Sequence, residues 1–162
     1  AHQRPQVFQV VVAKNKPEIT CGKVRVMFVA RKNMAHIPTS DFKTPRGYLK
    51  ISTPAATAFD LVGYPIHAAG LDNVATILAE LAENLDGKEL VRLAELSSIA
   101  WAQRLGYLLD MVGAQKKTGE LAKYITERKP VPTPLSPSLP FEGISRLKPW
   151  NILVNSRVEA EV

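Results

Sequence analysis

The sequence predicts an α+β protein in which a small mixed or antiparallel sheet is covered by about four to five helices. Two observations predict this class. Short β-branched runs separated by turn residues fill the first fifty positions, whereas residues 53–129 place apolar side chains at helical spacing. A final run, WNILVN at 150–155, predicts a closing strand that joins the N-terminal strands in one sheet. Helices on one face of that sheet would bury both apolar surfaces.

Three strands are predicted ahead of the first helix. Residues 7–12, VFQVVV, are too few for a helix and are rich in β-branched side chains. Residues 23–29 alternate, so that Val24, Val26 and Phe28 share one face of the strand. Residues 48–51 form the third strand, and the intervening 30–47 is expected to be a loop or an irregular edge.

Five helical segments follow. Thr53 and Pro54 supply a hydroxyl cap and a first-turn proline. The next segments have apolar spacing from Val74 to Leu85, from Lys88 to Leu96, from Trp101 to Val112 and from Gly119 to Lys129, with an Asp or Asn cap near 72–73 and Gly113 as a C-terminal cap. Each of these helices has an apolar face that needs a covering surface.

The chain of 162 residues, 46% hydrophobic and 22% charged, predicts one soluble, cytoplasmic domain. We divide it into a basic strand-rich part (1–52), a helical part (53–129), a proline-rich strap (130–149) and the closing strand (150–155). Five prolines between 130 and 140 predict an extended strap without regular structure.

Charge is distributed unevenly along the chain. The first fifty residues hold ten basic and two acidic side chains, whereas residues 51–113 hold three basic and eight acidic ones. Clustered lysine and arginine are typical of phosphate binding, although a solvated basic face explains them equally well. The basic residues that form a candidate interaction surface are Lys14, Lys16, Lys23, Arg25, Arg31 and Lys32.

The phrase Gln103-Arg104-Leu105-Gly106-Tyr107 in the fourth helical segment adds two more candidates. Inward-facing leucines turn Arg104 and Tyr107 toward the flanking faces, and both residue types are favoured at interfaces. Gly106 leaves room for the close approach of another group, which is either the C-terminal strap or a partner protein.

No pattern of catalytic, cofactor-binding or metal-binding residues is found in the sequence. The three histidines are scattered and lack ligand spacing, and no glycine-rich phosphate loop is present. The single cysteine, Cys21, fits a small turn or edge residue, with a catalytic thiol assisted by His36 as the alternative. Asp60 is expected to pair with Arg25, Arg31 or Arg46.

Four phrases in order resemble the C-terminal domain of the AbiEi family, the antitoxins of abortive-infection toxin–antitoxin systems. The first two supply the motif residues Ser52, Thr53, Pro54, Thr57, Asp60, Gly70, Leu71 and Asp72. The others are Gln103 to Leu109, and Pro134 to Pro137 followed by the closing strand, so that the resemblance spans nearly the whole chain. A glutamate usual in the family is Ala55 here.

The resemblance implies a non-enzymatic bacterial antitoxin domain whose partner is a nucleotidyltransferase-like toxin. It also implies that the parent protein represses its own operon, binding operator DNA through an upstream winged helix-turn-helix that we expect to lie outside this sequence. In the family, antitoxin action is thought not to need a stable complex with the toxin. No cofactor and no membrane contact are implied.

Two other functions remain open from the residues alone. The basic first third fits a nucleic-acid-binding accessory domain of a transcriptional regulator, whose affinity would fall steeply with rising salt. A small nuclease-like enzyme is the third reading, and it would depend on Asp60.

Overall fold

The computed structural model describes residues 6–12, 14, 16–21, 24–30, 42–44, 47–65 and 70–160. Its five strands before the first helix are β1 (Gln6–Val12), β2 (Ile19–Cys21), β3 (Val24–Ala30), β4 (Phe42–Thr44) and β5 (Gly47–Ser52). Three of them are the predicted ones. The two additional strands, β2 and β4, have only three residues each, too few to produce a recognisable period in the sequence.

These five strands form one mixed sheet in the order β2-β3-β1-β5-β4. The central strand β1 pairs in parallel with β3 and β5, and the edge strands β2 and β4 are antiparallel to their neighbours. Phe8, Val10 and Val12 alternate along β1 and are buried in the main core. One face of the sheet therefore lies against the helices, as the alternation predicts.

The helical layer contains the five predicted helices. They are α1 (Pro54–Gly63), α2 (Leu71–Leu81), α3 (Gly87–Leu96), α4 (Ile99–Met111) and α5 (Gly119–Arg128). Helix α4 contacts the other four, and its Leu105, Leu108 and Leu109 are fully buried. It is the helix around which the core is built, and the α+β class is confirmed.

Two predicted helix boundaries differ in the structure. Helix α2 starts at Leu71, after Gly70 with a φ of +110°, so neither Asp72 nor Asn73 lies at the cap. It ends at Leu81, and Asp86 begins α3 by accepting a hydrogen bond from the Lys88 amide at 3.0 Å. Gly113, with a φ of +88°, ends α4 as predicted, because a left-handed residue follows the last helical turn.

The closing strand does not join the N-terminal sheet. A second sheet has the order β6-β8-β7, built from β6 (Thr133–Pro134), β7 (Arg146–Leu147) and β8 (Ile152–Leu153). The proline-rich strap therefore contains short strands. Thr133 and Leu135 donate their amides to Asn151 and Leu153 at 2.9 and 3.0 Å, so Pro134, which lacks an N–H, occupies the position that needs no donor.

The C-terminal segment, residues 130–160, contributes to the core. Leu135, Trp150 and Ile152 are almost completely buried and belong to the same apolar cluster as α4 and the main sheet. Across the described residues, no helix combines the length and apolar character needed to cross a membrane.

Candidate interaction surface

Two of the three described basic candidates in the first third, Lys16 and Arg25, form ion pairs within the protein. Lys14 is exposed in the turn between β1 and β2. Lys16, two residues later, donates to the Glu80 carbonyl at 2.8 Å, forms an ion pair with Glu83 at 2.5 Å and lies 5.2 Å from the centroid of the Phe28 ring. Lys16 therefore links the β1–β2 turn to the end of α2. Its ammonium group holds the pKa of the Glu83 carboxyl below its ordinary value through hydrogen bonding and charge attraction.

Arg25, on β3, is paired with Glu18, which immediately precedes β2. Its Nε donates to Glu18 Oε1, and its Nη2 donates to Glu18 Oε2 at 3.1 Å. The Glu18 carboxylate raises the pKa of Arg25, first through this hydrogen bond and then through its charge. The candidates Lys23, Arg31 and Lys32 lie outside the described residues, as do Arg46 and His36. Of the described basic candidates in this region, only Lys14 is presented without such contacts.

The phrase in α4 binds the C-terminal segment. Gln103 is completely buried, and its Nε2 lies 3.0, 3.1 and 3.3 Å from the carbonyl oxygens of Trp150, Val131 and Asn151. Its Oε1 accepts a hydrogen bond from the Thr133 hydroxyl at 3.2 Å. A single amide side chain thus hydrogen-bonds groups at the start of both β6 and β8, where the two strands pair.

Arg104 and Gly106 complete this contact. Arg104 Nε donates to the Pro134 carbonyl at 3.1 Å, and partial burial lowers the pKa of its guanidinium. A Cβ placed on Gly106 would lie 2.2 Å from the Trp150 ring, so the glycine allows the indole to pack directly on the helix. The group that approaches Gly106 is therefore neither the strap nor a partner protein but Trp150, the first residue of the predicted closing strand. Tyr107 is half-buried against the core.

Asp110, one turn further along α4, was not among the sequence candidates. Its Oδ2 accepts a hydrogen bond from Trp150 Nε1 at 2.8 Å, and its Oδ1 accepts one from the Thr118 hydroxyl at 2.7 Å. Gln103, Gly106 and Asp110 follow the i, i+3, i+7 spacing of one helix face. That spacing of non-apolar residues, together with a downstream tryptophan, is a signal that could have identified the contact.

The motif residues of α1 mostly build the helix. Thr53 is the N-cap, its hydroxyl accepting from the Ala56 amide at 3.2 Å, and Pro54 is the first helical residue. Ser52 ends β5 and donates its hydroxyl to the Thr53 carbonyl at 3.1 Å. Asp60 is half-exposed. Because Arg25 is bound by Glu18, the expected partners of Asp60 that remain are Arg31 and Arg46, outside the described residues.

Thr57 is the exception among these motif residues. It is completely buried in α1, and its hydroxyl has no hydrogen-bond partner in the part of the chain that the structure describes. A buried hydroxyl without a partner costs about 1 to 3 kcal/mol. Among the described residues, this threonine of the motif has no hydrogen bond through which its hydroxyl would stabilise the fold.

The motif residues of α2 hold other segments in place. Asp72 Oδ1 accepts a hydrogen bond from the Glu159 amide at 2.9 Å and so binds the end of the C-terminal segment. Leu71 packs against the core. Asn73 Oδ1 accepts from Cys21 Sγ at 3.0 Å, which ties the edge strand β2 to α2. Cys21 is thus a buried edge residue, as one of its two readings predicted.

Within the described ranges, no group of three or more histidine, cysteine, aspartate or glutamate side chains could hold a metal ion. The described candidates belong to two parts of the fold. Lys14, Lys16 and Arg25 lie on or beside the strands β1 to β3, and Arg104 and Tyr107 lie on α4, where Arg104 binds the C-terminal segment.

No curated protein matches the chain. A crystal structure of the RV2827C protein from Mycobacterium tuberculosis is similar at 23% identity over 64% of this chain, with a TM-score of 0.49, and the chain spans only 35% of that protein.

A family model described as the AbiEi antitoxin C-terminal domain matches residues 1–111, about two thirds of the chain. The match includes the motifs of α1 and α2 and the α4 phrase. It ends at the last residue of α4, so the proline-rich strap and closing strand, which entered the sequence resemblance, lie beyond it. The chain belongs to the AbiEi antitoxin C-terminal domain family.

Proposed function

We propose that this chain is the antitoxin domain of a toxin–antitoxin system and counteracts a cognate nucleotidyltransferase-like toxin without catalysing a reaction itself. The observation that carries the proposal is the family match over residues 1–111, which supports an antitoxin role in general. The class of toxin follows from the family resemblance and is part of the proposal.

The contacts of the motif residues are consistent with a non-enzymatic role. Thr53, Gly70 and Asp72 cap, turn or tie segments, and Gln103 and Asp110 bind the C-terminal segment. These residues hold segments of the fold together, which supports a structural role for them.

We further propose that the parent protein represses its own operon through a winged helix-turn-helix outside this sequence. The resemblance supports this role. It also supports toxin counteraction without a stable complex, so the test must measure protection and not only binding.

Growth of bacteria that express the cognate toxin provides that test. We expect growth to be restored when this chain is co-expressed, and to be restored equally by the variant Asp60→Ala. Failure of the folded chain to restore growth would contradict the proposal. Loss of protection in a folded Asp60→Ala variant would instead favour the enzyme reading.

A charge-reversal variant separates this function from nucleic-acid binding through the basic first third. Changing Lys14, Lys23, Arg31 and Lys32 to glutamate leaves the ion pairs of Lys16 and Arg25 intact. Protection should survive this change, whereas binding of DNA to that region would be abolished. If protection disappears in the folded variant, the antitoxin proposal in this form is wrong.

A further inference from the structure

A basic groove lies where α5 meets the C-terminal segment. Its volume is about 420 Å³, and it is lined by Thr126, Lys129, Pro130, Arg146, Lys148, Pro149 and Asn151. Three of these seven residues are cationic and none is acidic. Positive charge is thus concentrated around one small volume that the sequence candidates did not include.

The three cations come from two parts of the chain, the end of α5 and the region of β7, and are exposed. Lys129 follows the end of α5, Arg146 lies on β7 and Lys148 follows β7. None of them forms an ion pair with another residue that the structure describes. Attraction to the C-terminal end of α5 explains a cation at Lys129. It does not explain Arg146 and Lys148, which belong to another element.

The backbone at the groove is unusual at two positions. Lys129 and Asn151 have φ angles of +48° and +54°, and they are the non-glycine residues with positive φ in the described chain. Lys129 is at the helix C-cap, where glycine would be the less strained choice by about 1 kcal/mol. The chain places a lysine there, and both strained residues line the same groove.

The positive charge does not continue along α5. The neighbouring groove is lined by Glu95, Glu120 and Glu127 beside Lys123 and Arg128. A nucleic-acid backbone needs phosphate contacts along an extended basic surface. A volume of about 420 Å³ instead falls in the range of small-ligand sites, about 300 to 1,000 Å³.

We propose that this groove binds a compact polyphosphate group, either inorganic or at the end of a nucleotide. Lys129, Arg146 and Lys148 neutralise the phosphate oxygens, and the Asn151 side chain, which donates to the Pro130 carbonyl at 3.2 Å, fixes the wall beside them. Arginine and lysine form strong charge-assisted hydrogen bonds with phosphate oxygens. This site is independent of the antitoxin proposal.

Calorimetric titration of the whole chain with tripolyphosphate tests the site at low salt. We expect saturable binding at one site, weakened roughly tenfold by each of Lys129→Gly, Arg146→Gln and Lys148→Gln, because each removes one charged contact. Lys129→Gly places glycine at a left-handed position and should not impair folding. Lys123→Gln, an exposed lysine of the same helix beside three glutamates, is the matched control and should bind like the unchanged chain.

Parallel titrations with ATP and with DNA and RNA oligonucleotides identify the source of the phosphates. Equal affinity for ATP and tripolyphosphate indicates recognition of phosphates alone, and tighter binding of ATP indicates a nucleotide; both agree with the proposal. Absence of saturable binding, binding unchanged by the three variants, or tighter binding of an oligonucleotide at these residues would overturn it.

Discussion

The contact between Gly106 and Trp150 depends on a single missing side chain. A methyl group at position 106 would lie 2.2 to 2.5 Å from three atoms of the indole, and the ring is itself almost completely buried. The ring cannot move aside without breaking its hydrogen bond to Asp110 at 2.8 Å. Glycine is therefore required here for packing, although it weakens the helix itself.

Gly106→Ala should lower the free energy of unfolding by about 2 kcal/mol, because overpacking outweighs the gain in helix propensity. Gly119→Ala, at the first position of α5 with no atom within 4 Å of the added Cβ, is the control. It should be neutral or stabilising by about 0.5 kcal/mol. Urea denaturation measures both variants, and equal effects would contradict the packing account.

For Thr57 we predict a substitution that increases stability. Because its buried hydroxyl lacks a partner among the described residues, Thr57→Val should raise the free energy of unfolding by about 1 kcal/mol. A thermal melt measures the change. Destabilisation by a similar amount would show that the hydroxyl has a hydrogen-bond partner. If stability rises but protection against the toxin is lost, the hydroxyl serves the function of the motif.

At the scale of elements, α4 and the C-terminal segment act together. The helices could be predicted because apolar spacing over ten residues is a local signal, and the capping of α1 by Thr53 follows from its neighbours. The second sheet could not be predicted from the sequence. Whether Trp150 and Ile152 lie beside β1 or beside α4 is decided by contacts between distant residues, such as those of Gln103, which leave no periodic trace in the sequence.

The candidate surface was less predictable for the same reason. Residue type identified Lys16, Arg25 and Arg104 as basic, but their partners Glu83, Glu18 and Pro134 are known only from the fold. The basic groove was missed because Lys129 and Arg146 are distant in sequence and line one groove only in the folded chain.

The Lys16–Glu83 pair makes a prediction about acid stability. The Glu83 pKa is lowered in the folded protein, first by the hydrogen bond from Lys16 and then by its charge, so the pair stabilises the fold at neutral pH and this contribution disappears as pH falls through the lowered pKa. Glu83→Gln should therefore reduce the loss of stability on acidification. Glu142→Gln, an exposed carboxylate of the C-terminal segment, is the control. Denaturation at pH 6 and pH 3 measures the difference, and parallel behaviour of the two variants would contradict the assignment.

In the whole molecule, side chains of α2 and α4 hold the C-terminal segment on the helical core. The segment is bound at α4 through Gln103, Arg104 and Asp110 and at α2 through Asp72. Although it lies beyond the family match, residues within the match hold it. The structure thus unites the matched and unmatched parts in one core.

Amide hydrogen exchange measures whether the C-terminal segment is held on the core in this way. We predict that the amides of Thr133 and Leu135, bonded to Asn151 and Leu153, exchange about as slowly as those of α4. In Gln103→Leu they should exchange at least about tenfold faster, because the buried carbonyls lose their donor. Fast exchange of these two amides in the unchanged protein, with α4 still protected, would contradict the claim.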